Sequence, residues 1–466
     1  MAQRSQRLAE VLTTSETLHE RLARFFVPGA AARVAEPPPA KAKANLAAWA
    51  KAAANGDVDQ LIARLAWDGV TPGQAAAAWI GDDSVPSVDA PWIHLLGRAT
   101  ESTEPGDDDP TVDRRTAFAP LWAPWRRAAF ERLDAVDPDW RRPLSDAALR
   151  ALRRELDGDL CELGSLAAYE RFDAIRTAAR IAGGSGASGD SNGDGTELYD
   201  AFTLAVLTRP LDAFYNHYPV LARQLAEHAV RWGDALLELL RRLGADWPGL
   251  RRRFDLGRPA PRILGFGRSS REDGEAPAEA HADAHQGGRR VRRLILDAGD
   301  GEPRAVIYKP RDVSAEVILE RCFTWAAARG LADAPGAPRG LDGGGYGYFE
   351  AIDAGADFAA AADAAAYFRR AGALVAFADA LRGRDLHAEN IVATPSGPVA
   401  VDGEMFFQPR RATRTTGGDP SEDRAAGSCL DSGLFHQPTA DDDGRELGGL
   451  RPCRLRPGLG VGHRFR

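Results

Sequence analysis

The sequence predicts an α+β protein: a helical first half, then a mixed half built on an antiparallel sheet. Two observations carry this. Through residues 1–255 apolar side chains recur at three- and four-residue spacing, as in "LHERLARFF" and "DVDQLIARLAWDGV". After Pro259 the texture changes to short apolar runs cut by Asp, Gly and Pro turns.

In chain order, "SDAALRALRREL" predicts a helix opened by Ser145 or Asp146 as N-cap. "DAFYNHYPVLARQLAEHAVRWGDALLELLRRLG" predicts one or two long helices, with a start at Pro219 and an end at Gly244. Three stretches read as breaks: "AEPPPAKAKA", the acidic "ESTEPGDDDPTVD", and "GGSGASGDSNGDGTE", whose small polar residues cannot offset their ordering entropy. "RRVRRLILDAGDGEPRAVIYKPR" predicts a β-hairpin with Lys309 at the end of its second strand. "VSAEVILERCFTWAAARG" reads as a helix stopped by Gly330, "GYGYFEAID" as a strand, and "AAAYFRRAGALVAFADALRG" as a helix. "NIVATPSGPVAV" reads as strand, turn, strand. The Gly-, Arg- and Asp-rich tail from Arg410 shows little periodicity and is expected to be loop-rich.

The chain has 466 residues, enough for two or three domains. No run reaches the ~18 uninterrupted apolar residues of a membrane-spanning helix. The N-terminus lacks the apolar core of a secretion signal. Cys161, Cys322, Cys429 and Cys453 are scattered, which predicts neither a disulfide framework nor a zinc site. A cytoplasmic location is expected. A formal charge of −8 speaks against a general nucleic-acid binder. Basic residues are nearly all arginine, as GC-rich codon usage would give. Lys309 is the only lysine after Lys51. A compact point charge kept there suggests a task that the planar arginine fork does not suit.

Chemistry concentrates in "RDLHAEN" and "VDGE". Asn390 follows Asp385 by five residues and Asp402 follows it by seventeen, across an apolar hairpin. This is the layout of a kinase catalytic loop and its metal-binding aspartate. Asp385 would orient or deprotonate an attacking hydroxyl. Asn390 and Asp402 would hold Mg²⁺ against the phosphates of ATP. Lys309, earlier in the chain on a strand, fits the lysine that neutralises those phosphates. Each residue alone has a plainer reading: a turn cap for Asp385, loop satisfaction for Asn390, turn acids for Asp402 and Glu404, a solvated strand end for Lys309. Their joint order favours phosphoryl transfer. His387 either positions the site and moves protons or is a turn histidine. Glu316 and Glu320, in the helix after Lys309, are either its ion-pair partners or, more simply, solvated.

No convincing GxGxxG loop is present. "HADAHQGGRR", just before the hairpin, is its nearest counterpart. There Arg289 or Arg290 would bind phosphate, His281, Asp283 and His285 would bind a metal, or the stretch is a polar loop with turn glycines. The expected architecture is a helical region over 1–255, a protein-kinase-like two-lobed fold with its sheet-based N-lobe over 256–350, an incomplete helical C-lobe carrying the catalytic loop over 351–410, and a tail over 411–466.

The blocks "NHYPVLARQLAE", "DAHQGGRRVRRLIL", "AVIYKPR", "YGYFEAI" and "DLHAENIVATPSGPVAVDGEMFF" together resemble the N-terminal dehydratase domain of class II lanthipeptide synthetases. The resemblance covers about residues 200 to 410 strongly and the helical part loosely. It implies phosphorylation of Ser and Thr in a lanthipeptide precursor peptide by ATP and Mg²⁺. Elimination of phosphate to dehydroalanine or dehydrobutyrine would follow. By resemblance, Lys309 contacts ATP, Asp385 and His387 act on the hydroxyl, Asn390 and Asp402 hold Mg²⁺ with Glu404 in support, and Asp283 and His285 line the same site. The family's C-terminal cyclase binds zinc through two cysteines and a histidine, a pattern that Cys429, His436 and Cys453 do not reproduce. A chain truncated before the cyclase is therefore expected, with elimination impaired and ring closure left to a separate cyclase. Two other readings stand beside this one: a non-catalytic fragment that binds a leader peptide or partner, and a small-molecule kinase of similar fold.

Overall fold

The computed structural model describes residues 2–17, 20, 40–75, 90–101, 116–182, 193–267, 287–355, 361–409 and 432–435. It is an α+β structure divided into two compact units. One comprises Met1–Val136 and Arg154–Gly233, the other Asp137–Arg153 and Asp234–Arg466.

The first unit is helical: α1 (Ala2–Thr14), α2 (Ala40–Ala54), α3 (Val58–Trp67), α4 (Pro91–Ala99), α5 (Ala119–Val136), most of α6 (Asp146–Ala182), α7 (Gly193–Thr208), a π-helical turn (Leu211–Tyr215) and the start of α8 (Pro219–Arg253). Two of these helices begin inside stretches expected to be breaks, α2 at Ala40 and α7 at Gly193. The remainder of those stretches lies outside the described residues, as do residues 102–113 of the acidic one. Large aromatics build this core. Trp122, Trp125, Phe214 and Tyr215 are all sealed from solvent. Trp125 satisfies its indole N–H on Tyr215 Oη at 2.6 Å, so an amphipathic side chain is buried without an orphan donor. Arg126 and Asp157 form a buried ion pair beside it.

The second unit is organised by a five-stranded antiparallel sheet in the order β1-β2-β3-β5-β4. The strands are β1 (Ile263–Gly267), β2 (Arg292–Asp297), β3 (Pro303–Lys309), β4 (Gly340–Asp342) and β5 (Gly347–Glu350). The β2–β3 hairpin pairs Leu294 with Val306 and Arg292 with Tyr308, matching the expected strand–turn–strand. Alternation along β3 sends Val306 and Tyr308 to one face and Ile307 and Lys309 to the other. On the Tyr308 face lies the end of α8. Arg242 stacks over Tyr346 at 4.0 Å and donates to Tyr308 Oη at 2.7 Å, while Asp246 accepts from Tyr346 Oη at 2.8 Å. These contacts explain why α8 runs through Gly244 to Arg253 instead of stopping at the glycine. Trp247 and Leu250 are buried in that extension, which outweighs the propensity penalty of one glycine.

On the Lys309 face, Ile307 and Phe349 pack against Val313, the N-cap of α9 (Ser314–Ala328), and against Val317 within it. Below this, α10 (Ala361–Leu381) packs on a separate hairpin of β6 (Ile391–Thr394) and β7 (Gly397–Ala400). One core joins these parts: Leu319 and Phe323 of α9, Leu374 and Ala378 of α10, Leu386, Ile391, Ala400, Phe406 and Leu434. Leu434 belongs to the stretch expected to be loop-rich. Residues 432–435 of that stretch are packed, with Leu434 1% exposed; residues 410–431 and 436–466, with Cys429, His436 and Cys453, lie outside the described residues. Among the described residues no helix is long and apolar enough to cross a membrane.

Candidate functional site

Two clusters of polar side chains meet at the β6–β7 hairpin, both within the second unit. The first forms where β3 ends. Lys309 is the last residue of the strand, paired with Gly347 of β5, and its side chain is buried. Its Nζ donates to Glu316 Oε1 at 2.6 Å, to the Val401 carbonyl at 2.9 Å and to Asp402 Oδ1 at 3.2 Å. Three acceptors satisfy the three N–H donors of an ammonium. Glu316 sits in the first turn of α9, where the helix dipole favours a carboxylate. Asp402 follows β7 after one residue, Val401. Gly403 then lets the chain pass close to α9, because a Cβ there would stand 2.9 Å from Leu319. Glu404 follows and pairs with Arg311 at 2.9 Å.

Burial opposes ionisation of Asp402, but Lys309 and Arg311 outweigh it and hold the carboxyl below its ordinary value. The Asp402 carboxylate is therefore ionised at neutral pH.

The second cluster lies on the loop between α10 and β6. Leu386 is fully buried in the core, which pins the loop and turns the residues around it outward. Asp385 takes a left-handed conformation at φ 60°, uncommon outside glycine and typical of constrained functional loops. Asn390 Nδ2 donates to the Asp385 carbonyl at 2.7 Å and to its carboxylate at 3.2 Å. His387 Nδ1 accepts the Glu389 backbone N–H at 3.1 Å, which assigns the ring proton to Nε2. That Nε2 faces Asp385 Oδ1 at 3.5 Å. A ladder bond, Val401 N–H to the Asn390 carbonyl at 2.9 Å, joins the two clusters through the hairpin.

Of the residues singled out from sequence, the structure brings Lys309, Asp402 and Glu404 into one cluster and Asp385, His387 and Asn390 into the other. Asp283 and His285, with His281, lie outside the described residues. Three details differ from expectation. Glu316 is not solvated: it is 5% exposed and paired with Lys309. Glu320 pairs with Arg253 and accepts the Gly340 N–H, because one helical turn further along it has left the lysine's reach. Arg289 pairs with Glu238 of α8 at 2.7 Å, and Arg290 is buried.

Arg311 escaped the sequence reading. It bridges Glu316, Asp402 and Glu404. The available signal was three acids in "VSAE" and "VDGE" against a single assigned cation. Gly433 was also missed. It approaches the loop so closely, at φ 82°, that a Cβ would stand 3.0 Å from Leu386 N and 3.3 Å from His387 N.

Among the described residues no group of three or more His, Cys, Asp or Glu is placed to hold a metal ion, so Asn390 and Asp402 are the oxygen donors that could serve one. Because Asn390 commits its amide nitrogen to Asp385, its oxygen is the end presented elsewhere, and Asp402 adds a partly exposed carboxylate. Hard oxygen donors from one or two side chains, completed by phosphate and water, are what Mg²⁺ takes.

No curated protein matches the chain. A family model described as a domain of unknown function (DUF4135) matches residues 218–454, just over half of the sequence and the whole of both clusters. The chain belongs to that family.

Proposed function

We propose that this site is a kinase-like dehydratase centre of the lanthipeptide type. It transfers the terminal phosphoryl group of ATP to Ser and Thr hydroxyls of a precursor peptide. It then removes the α-proton and expels phosphate, leaving dehydroalanine or dehydrobutyrine and a net loss of one water per site. The observation that carries the reading is Lys309 Nζ, held between Glu316 at 2.6 Å and Asp402 at 3.2 Å. A buried lysine fixed by a helix carboxylate next to an acid after a hairpin is the arrangement used to bind nucleotide phosphates. The family match adds support, since this domain is found in lanthipeptide synthetase-like proteins.

On this reading β1–β5 with α9 form the N-lobe of a protein-kinase-like fold, and α10 with the β6–β7 hairpin forms part of its C-lobe. Lys309 offsets phosphate charge. Glu316 holds Lys309 in an extended position. Asp385, displayed by its left-handed backbone, accepts the proton of the attacking hydroxyl. His387, with its proton on Nε2, steadies Asp385 or donates to a phosphate oxygen. Asp402 and Asn390 would hold Mg²⁺, which when bound would neutralise phosphate charge. The protein would act in the cytoplasm, upstream of a cyclase.

The test is to incubate the chain with ATP, Mg²⁺ and a Ser/Thr-rich lanthipeptide precursor peptide, then record masses. One phosphoryl group gained per site, or one water lost, is the expected result. An unmodified peptide, with no nucleotide bound by the protein, would overturn the proposal.

A further inference from the structure

Arg311 touches three carboxylates at once. Nη1 and Nη2 reach Glu316 at 3.2 and 3.4 Å, Nη2 also contacts Asp402 Oδ1, and Nε meets Glu404 Oε2 at 2.9 Å. Nη1 further donates to the Asp312 carbonyl at 3.1 Å. A lysine could not replace this fork, because each edge of the guanidinium addresses a different acid. Three carboxylates against Lys309 and Arg311 leave one negative charge. Without Arg311 the same pocket would carry two. Arg311 shares Asp402 Oδ1 with Lys309, and Asp402 is the carboxylate offered to a metal.

We propose that Arg311 holds the place of the metal: its guanidinium neutralises Asp402 and Glu404 until Mg–nucleotide arrives, then moves onto the nucleotide phosphates. The inference rests on the nucleotide-binding reading above. A guanidinium and a dication on the same carboxylate repel, so the two compete for Asp402. The incoming triphosphate supplies a better acceptor, since arginine binds phosphate oxygens in a two-pronged, charge-assisted manner.

The competition gives opposite shifts that a merely structural residue would not produce. Wild type, Arg311→Gln and Arg311→Lys are compared as full-length chains of unchanged circular dichroism. Mn²⁺ binding is read by electron paramagnetic resonance without nucleotide, and Mg–ATP binding by calorimetry. Arg311→Gln is expected to bind Mn²⁺ about tenfold more tightly and Mg–ATP about tenfold more weakly than wild type. Arg311→Lys should fall between them on both scales. Should Arg311→Gln fail to fold, the same paired shifts in Arg311→Lys decide the matter. Metal affinity that is unchanged or lowered, or Mg–ATP affinity that is unchanged, would overturn the role of Arg311 alone. A wild type that binds no Mg–ATP would overturn both this role and the proposed function.

Discussion

Lys309 Nζ lies 2.6 Å from Glu316 Oε1, with the two side chains only 7% and 6% exposed. A pair this buried gains strong attraction only while both partners remain, because a single ion left behind has no water to solvate it. Lys309→Met is therefore expected to destabilise the second unit by about 3 kcal/mol in urea unfolding. The double replacement Lys309→Met, Glu316→Leu should recover most of that loss. Phosphorylation should be absent in both proteins. Activity that returned together with stability would show that the lysine serves folding only.

Asp385 and Glu316 should behave oppositely. The Asp385 side chain is 52% exposed, so Asp385→Asn should change stability by no more than about 0.5 kcal/mol. Asparagine also tolerates the left-handed backbone. Loss of the proton acceptor is expected to lower the phosphorylation rate by about 10²–10⁴ while the ATP affinity holds. Single-turnover mass spectrometry with a calorimetric ATP titration measures both quantities.

Gly433→Ala tests the brace beneath the loop. The Ser432 carbonyl accepts the Leu386 N–H at 2.8 Å, and a methyl at 433 would press on that same backbone. With the positive φ adding strain, a loss of about 1–3 kcal/mol is expected, together with slower turnover. Gly301→Ala is the control: it also has positive φ but open space around it, so only stability should fall.

In the first unit, Glu20 and Thr17 form a capping box, and Arg223 pairs with the Glu20 carboxylate. Burial resists ionisation, but Arg223 and the Thr17 donors outweigh it and pull the Glu20 carboxyl from 4.5 down to about 2. The folded state thus holds its charge more tightly than the unfolded one. The stabilisation is fully present above the unfolded value and is lost as pH falls through the folded one. Urea midpoints recorded between pH 5 and pH 2 should drop less steeply in Glu20→Gln than in wild type. Parallel curves would refute this assignment.

Much of this was legible in the sequence because it is local. The β2–β3 hairpin, α9 and its stop before Gly330, and the β6–β7 turn all follow from periodicity and turn chemistry. The order of Lys309, Asp385, Asn390 and Asp402 marked the site. What stayed hidden depends on contacts distant in sequence. Whether Glu316 is paired or solvated turns on how α9 leans on the sheet, and sequence spacing alone does not set that angle. Arg311 looked like one arginine among many. Its role appears only when residues 402 and 404 return beside it. The extension of α8 past Gly244 depends likewise on Tyr346 and Tyr348, about a hundred residues on.

The hairpin bond from Val401 to the Asn390 carbonyl carries a mechanical implication. The acid loop and Asp402, the lysine's partner, lie at opposite strands of one short ribbon, so the bond ties the position of one to the other. Fraying of that ribbon would part the Asp385 loop from Asp402 while the five-stranded sheet stayed intact, and amide exchange at Val401 would report how often this happens.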